Sequence, residues 1–326
     1  MNVPTREIWN SQLKAHAPRF GAFLQSFEWG EFQESLGRTV ERLALEKGGA
    51  TMLATAVRLP LPFGWSYWFV PKGPVGTMPA GKAAKELRLS IPGGAFFRVE
   101  PNAACRGWQA KDMNPSTSSV LDLTVGMDAI DAGMKAKTRY NIRLAEKKGV
   151  TIEIAGVEAF DDFTRLLEQT ATRDGFSLHP LEYYRAMLEQ FRVGEVRAFL
   201  VIARYDDRPI AANLMIDFNG QRTYLHGASS NLHRNVMAPY LLHKFLIEDA
   251  IAKGMTSYDF WGVAPVGSSP HHPWAGVTRF KLGFGGEIVS TPGTIDVPTN
   301  IFIYALYRLA KLPRKPRRRQ REIAAE

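Results

Sequence analysis

One cysteine, Cys105, stands among 326 residues. That excludes an intrachain disulfide framework and a zinc site built on thiolates, and it suits a reducing compartment. Long apolar runs are also missing. No stretch approaches the roughly 20 residues that span a bilayer, and the start, Met1 to His16, has no apolar core of a secretory leader. The expectation is a cytoplasmic protein, at most peripheral at the inner face of a membrane. Nucleotide signatures are absent, with neither a P-loop nor a Gly-x-Gly-x-x-Gly turn behind a strand. His271 and His272 are adjacent and cannot face one ion as a helical pair four residues apart would. No Gly-x-Ser-x-Gly elbow occurs. The reading expects no metal and no cofactor.

What is present is a globular composition. A hydrophobic share of 45% excludes a disordered chain, and the length suits about two domains. The net charge of +9 is unevenly held: Lys311 to Glu326 carries +5, Lys135 to Gly149 another +5, and the remainder sums to −1. Two short segments therefore point to polyanionic partners at defined places.

The hydrophobic pattern reads as two similar halves. In the first, Glu7 to Leu36 is helical, with breaks near Pro18 and Phe27. Glu41 to Leu59 and Gly64 to Val70 follow as strands, with a turn at Gly48-Gly49. In the second, helical patterns at Val157–Arg173 and Pro180–Phe191 precede three strands, Val196–Tyr205, Ile210–Phe218 and Arg222–Ala228. Asn219-Gly220 is a strong hairpin signal. A helix from Ala238 to Lys253, closed by Gly254, leads to a strand at Ser257–Trp261. This order is that of an N-acyltransferase-like α+β unit. The expected fold is two tandem units of that kind, each a mostly antiparallel twisted sheet flanked by helices. The expected division is residues 1–150, ending in a basic linker helix over 134–149 and completed by 287–312; residues 151–286; and a basic tail from 313.

On the linker helix, Lys135, Arg139, Arg143 and Lys147 repeat every four residues, so they form one basic stripe. Like charges at that spacing repel by a few tenths of a kcal/mol per pair, and an outside anion relieves the repulsion. Lys135, Lys137, Arg139 and Arg143 are the candidate phosphate contacts. An acyl-CoA enzyme would want glycines at the start of the Ala238 helix to cradle a pyrophosphate. Arg234 to Pro239 offers none. Trp274 to Glu287, WAGVTRFKLGFGGE, sets Lys281 among aromatic residues and glycines. A lysine held there stabilises a developing oxyanion; the bland alternative is a twisted hairpin with a snorkelling lysine.

Seven pieces occur in one order: Pro71-Lys-Gly-Pro-Val75, Leu121-Asp-Leu123, KAKTRYNIRLAEKKGV from Lys135, RDGFSLHPLEYY from Arg173, YLHGASS from Tyr224, Tyr258-Asp-Phe-Trp-Gly262, and Phe280-Lys281 with Gly283-Phe-Gly-Gly286. Together they make the sequence resemble the FemABX family of aminoacyl-tRNA-dependent peptidyltransferases, in its short type without a coiled-coil arm. The resemblance implies transfer of an amino acid from aminoacyl-tRNA to the stem-peptide amine of a peptidoglycan precursor, lipid-linked or UDP-linked. It implies a catalytic cation at Lys281, beside Phe280, and precursor or cleft contacts at Tyr183 and Tyr224. Gln33 stands where the family has a lysine on the precursor's diphosphate, His179 where it has an arginine, and His226 where it has a second tyrosine. Arg173, six residues before His179, is the candidate replacement cation.

Two further readings are open from the sequence: an N-acyltransferase using acyl-CoA or another donor, and a non-catalytic tRNA- or membrane-binding protein. The tail is either a packed helix over Asn300–Leu312 with a basic end, an anchor on an anionic membrane surface, or a tRNA contact.

Overall fold

The computed structural model describes residues 3–311. The basic tail 313–326 lies outside them. The strands are β1 (Val40–Lys47), β2 (Ala50–Pro60), β3 (Ser66–Val70), β4 (Phe96–Val99), β5 (Trp108–Gln109), β6 (Thr117–Asp122) and β7 (Thr151–Ala155). They continue with β8 (Arg197–Tyr205), β9 (Arg208–Phe218), β10 (Gln221–Ser229), β11 (Ser257–Gly262), β12 (Glu287–Ser290) and β13 (Ile295–Pro298). The helices are α1 (Arg6–Ala15), α2 (Phe27–Ser35), α3 (Ala80–Ser90), α4 (Met127–Gly133) and α5 (Ala136–Lys147). After these come α6 (Phe160–Asp174), α7 (Leu181–Gln190), α8 (Ala238–Ala252), α9 (Ala275–Lys281) and α10 (Ile301–Lys311).

The protein is α+β and consists of two tandem N-acyltransferase-like units. In the first, β1, β2 and β3 form an antiparallel meander, and α3 crosses over to a parallel β4. In the second, β8, β9 and β10 repeat the meander, and α8 crosses over to a parallel β11. The hairpin tips explain the meanders. Gly48-Gly49, Asp206-Asp207 and Asn219-Gly220 all have positive φ at both positions, the backbone that matches the twist of a two-residue hairpin.

Each sheet then borrows a strand. The six-stranded sheet runs β1-β2-β3-β4-β13-β5 and the seven-stranded sheet β12-β6-β11-β10-β9-β8-β7. β6 comes from before residue 150 yet pairs antiparallel with β11. β13 comes from near the C-terminus and pairs with β4. A cut at residue 150 therefore does not follow the sheets. α5 is not a free linker either: it packs on α8, with Ile142 and Ala145 in the core that α8 also enters. Of the proposed completing segment 287–312, β12 stays with the second sheet, while β13 and α10 join the first.

Locally, Ser26 caps α2 by accepting the Trp29 N–H at 3.0 Å, which ends the irregular stretch between α1 and α2. Gly175 closes α6 in the left-handed conformation, φ 72°. The sequence reading leaves α3 and β4 unassigned. Within residues 274–287, Ala275–Lys281 is the short helix α9 and Leu282–Phe284 a 3₁₀ turn, which overturns the hairpin alternative. Among the described residues no helix is long and apolar enough to cross a membrane.

Candidate functional site

β10 and β11 pair over only three residues, Gln221–Thr223 against Ser257–Asp259. β10 then runs on to Ser229 and β11 to Gly262, each without the other. Lys281, the last residue of α9, enters at this opening. Its ammonium donates to the Trp261 carbonyl at 3.1 Å and the Gly262 carbonyl at 2.9 Å. It also lies 5.2 Å from the centre of the Tyr224 ring on β10. A bulge in β11 offers the two carbonyls: the register with β6 shifts between Asp259 and Gly262, and Trp261 takes φ +58°. That conformation is a real outlier for a bulky side chain and marks stored strain at the site.

Lys281 is 6% exposed. Burial pushes its pKa down to about 7, against the pull of the nearby Asp259 carboxylate. Asp259 is itself buried, which pushes it up to about 6. Opposing that shift are hydrogen bonds from the Ser118 hydroxyl and, at 2.8 Å, the Trp261 N–H, and the charges of Lys281 and Lys72. Lys72 is a second buried lysine. Its ammonium donates to the Pro115 carbonyl and sits 4.1 Å from the centre of the Phe20 ring. Burial pushes its pKa down. Behind Tyr224 lies His243 of α8, with ring centres 4.5 Å apart. Its Nδ1 is 2.7 Å from the Tyr258 hydroxyl. Burial and the charge of Lys281 hold its pKa at about 3, so it is a neutral ring at cellular pH.

Tyr224 and His226 are two residues apart, so a regular strand would place them on one face. A second bulge prevents this. The β10–β9 register shifts between Tyr224 and His226, which pair with Met215 and Leu214. Tyr224 packs on the α8 side with His243, and His226 packs on the other side, 5.1 Å from Tyr184.

His226 belongs to a second cluster, where α2 of the first unit meets α7 of the second. His179 stacks on Tyr183 at 4.4 Å, and Tyr183 packs on Phe32 at 5.2 Å. Burial raises the pKa of Tyr183, and a hydrogen bond with Gln33 works against that rise. Gln33 is buried, and its amide oxygen accepts from Arg38. Burial and then the charge of Arg38 lower His179. Burial and then His179 lower His226 to about 3. This cluster thus holds one strong cation, Arg38, half-buried and carried five residues after Gln33.

Arg173 is engaged with other groups. Its guanidinium is taken by Asp174 at 2.8 Å, by the Ser229 carbonyl at 3.0 Å and by Asn231 at 3.0 Å. Phe280 packs against Tyr240, His243 and Phe284. Lys135, which precedes α5, and Lys137 and Arg143 on it are exposed, whereas Arg139 donates to the Asp131 carbonyl at 3.1 Å and to that of Met134. Arg139 closes the end of α4, and the stripe is interrupted there. Glu146 pairs with Lys244 of α8.

Sequence reasoning missed Arg38, Lys72, Asp259 and His243 as site residues. Lys72 and Asp259 lie inside quoted motifs, and their signal was a charged residue in an otherwise apolar or glycine-rich run. Arg38 and His243 carry no such signal. Among the described residues no three His, Cys, Asp or Glu side chains converge as a metal set. A separate hollow of about 460 Å³ opens at the other end of β6 and β11, beside Asp122 and Gly285.

Two tandem N-acyltransferase-like units, with a buried lysine where the second unit's parallel strands separate, define the structural class. The chain belongs to the FemAB family, whose model matches residues 105–208 and 198–312. It is 23% identical over 242 residues to a lipid II:glycine glycyltransferase of Staphylococcus saprophyticus, covering 55% of this chain and 57% of that protein. It is 29% identical over 110 residues to aminoacyltransferase FemA of Staphylococcus epidermidis, covering 34% and 26%. The chain thus spans about half, or a quarter, of the length of these relatives. Its fold matches the crystal structure of FemX with a TM-score of 0.76 over 94% of this chain and 98% of that one, at 17% identity. L-PGS from Bacillus licheniformis matches with a TM-score of 0.53 over 87% and 94%, at 13% identity.

Proposed function

We propose that this protein is an aminoacyltransferase that moves an amino acid from aminoacyl-tRNA to the stem-peptide amine of a peptidoglycan precursor. The observation that carries the reading is Lys281, buried at the opening between β10 and β11 on two carbonyls of the β11 bulge. The amine nitrogen attacks the ester carbonyl carbon. The bond from that carbon to the tRNA ribose oxygen breaks, and the proton leaving the amine ends on that oxygen. An ester is already activated, so positioning and oxyanion stabilisation suffice. The Lys281 ammonium is the group for the developing oxyanion. Trp261 and Gly262 hold it in place, and Asp259 favours its charged form.

The precursor's phosphate meets Arg38 in this reading. A charge-assisted hydrogen bond is roughly twice as strong as a neutral one, and neutral His179 supplies only the neutral kind. The name of the glycyltransferase relative favours the lipid-linked acceptor. The exposed Lys135, Lys137 and Arg143 suit tRNA phosphates.

The test is incubation with a pool of charged tRNAs and either lipid-linked or UDP-linked precursor, read by product mass. A mass increment of one or more amino acids is expected. No increment with charged tRNA, together with acyl transfer from acetyl-CoA, ends the proposal. In the same assay Arg38→Ala raises the precursor KM about tenfold, one lost charged contact, and Arg173→Ala leaves it unchanged.

A further inference from the structure

α10 has two faces of opposite character. Tyr304, with Ile303 and Tyr307, packs on the first sheet against Tyr67 and Phe96. At 100° per residue, the side turned away from that contact gathers Ile301, Phe302, Ala305, Leu306, Leu309 and Ala310. All six are exposed, Phe302 to 80% and Leu309 to 63%. No charged residue lies among them. The helix's charges, Arg308 and Lys311, sit at its flank, over the rings of Trp108 and Tyr307. Trp108 is itself 52% exposed. A helix that only faces water carries polar residues on its outer side, and a contiguous apolar face of this kind marks an interaction surface.

We propose that the outer face of α10 docks on an anionic lipid bilayer. Charge selects this occupant. From Asn300 to Leu312 there is no Asp or Glu, and the nearest carboxylate before it, Asp296, is bound by Arg98. Fifteen residues follow Lys311, of which six are Lys or Arg and two are Glu. A second copy of the chain would bring the same positive charge against itself. A nucleic acid would leave Phe302, Leu306 and Leu309 in water. An anionic leaflet satisfies both features: apolar side chains enter the boundary between headgroups and acyl chains, and basic residues remain among the phosphates. Each Lys or Arg close to such a leaflet raises partitioning about fivefold. The surface is separate from the Lys281 site and is independent of the transfer chemistry.

The experiment is co-sedimentation of the full chain with vesicles of phosphatidylglycerol and phosphatidylethanolamine, or of phosphatidylcholine alone, with no precursor present. At least tenfold stronger binding to the anionic vesicles is expected. Phe302→Glu with Leu309→Glu lowers that binding at least tenfold and leaves the urea midpoint and far-ultraviolet spectrum unchanged, since both side chains meet solvent. Phe302→Ser with Leu309→Ser is the milder pair should the acidic one disturb folding. Binding that is equal for wild type and both pairs overturns the proposal, as does absence of vesicle binding. A dimer in sedimentation velocity that the same substitutions dissolve also overturns it, because a second copy then covers the face.

Discussion

Lys281 titrates near neutrality because it is buried on neutral carbonyls, with Asp259 as its nearest countercharge. Its ammonium form predominates below about 7. A chemical step that needs the ammonium therefore slows as pH rises through that value. The expected single-turnover profile with saturating substrates falls on its alkaline side near pH 7. Lys281→Arg keeps its charge throughout the range and removes that limb. Asp259→Asn takes away the carboxylate that holds the proton on, so the limb moves to lower pH. Lys281→Met costs about 100-fold or more in kcat, the usual loss of an oxyanion donor. A wild-type profile that climbs through pH 8 with no falling limb ends the cation's role. The Phe-Lys pair was legible in the sequence. The shifted pKa was not, because it comes from burial among elements distant in the chain, with Asp259, 22 residues earlier, pulling the other way.

β10 shows how an element re-aims side chains. By their two-residue spacing, Tyr224 and His226 would share one face of a regular strand. The bulge between them sends one to the α8 side and the other to the α7 side. Gly227 makes room for this arrangement: a Cβ at that position would overlap the Tyr224 hydroxyl. Gly227→Ala is expected to displace the Tyr224 ring from beside Lys281. The rate falls roughly 100-fold, as for other misplacements near 1 Å, and stability falls by about 1–3 kcal/mol from overpacking. Stopped-flow transfer rates and urea unfolding read the two effects. Wild-type values in both would show that the ring has space elsewhere. Turn chemistry at Asn219-Gly220 was readable from residue types alone. The bulge was not, since no residue type in YLHGASS requires one.

At the scale of the whole molecule, the two units are laced together by exchanged strands. β13 is fastened to β4 by Arg98 and Asp296, which are buried and share two hydrogen bonds, at 2.7 and 2.8 Å. Tyr307 and Tyr304 of α10 add hydroxyl contacts to the same pair. Asp296→Ala leaves the guanidinium buried without its carboxylate. Such a loss costs roughly 3–5 kcal/mol, and chemical denaturation measures it. A change below about 1 kcal/mol would mean that water replaces the carboxylate at little cost. Local periodicity was enough to read the repeated meander–helix–strand order, because hairpin turns and helix stripes are encoded within a few residues. It was not enough to read which sheet β6 and β13 enter, since that pairing joins segments more than 100 residues apart and is decided by which edges remain open. The sequence by itself determined the two-unit plan and the basic segments, which rest on residue type and short spacing, and it set Lys281 apart as a charge among aromatic residues and glycines. Only the tertiary structure decided that Arg38 lies in the second cluster while Arg173 is bonded to Asp174, Ser229 and Asn231, that Asp259 and Lys72 lie near Lys281, and that α10 turns an uncharged apolar face to solvent, because each depends on burial and on contacts between residues distant in the chain.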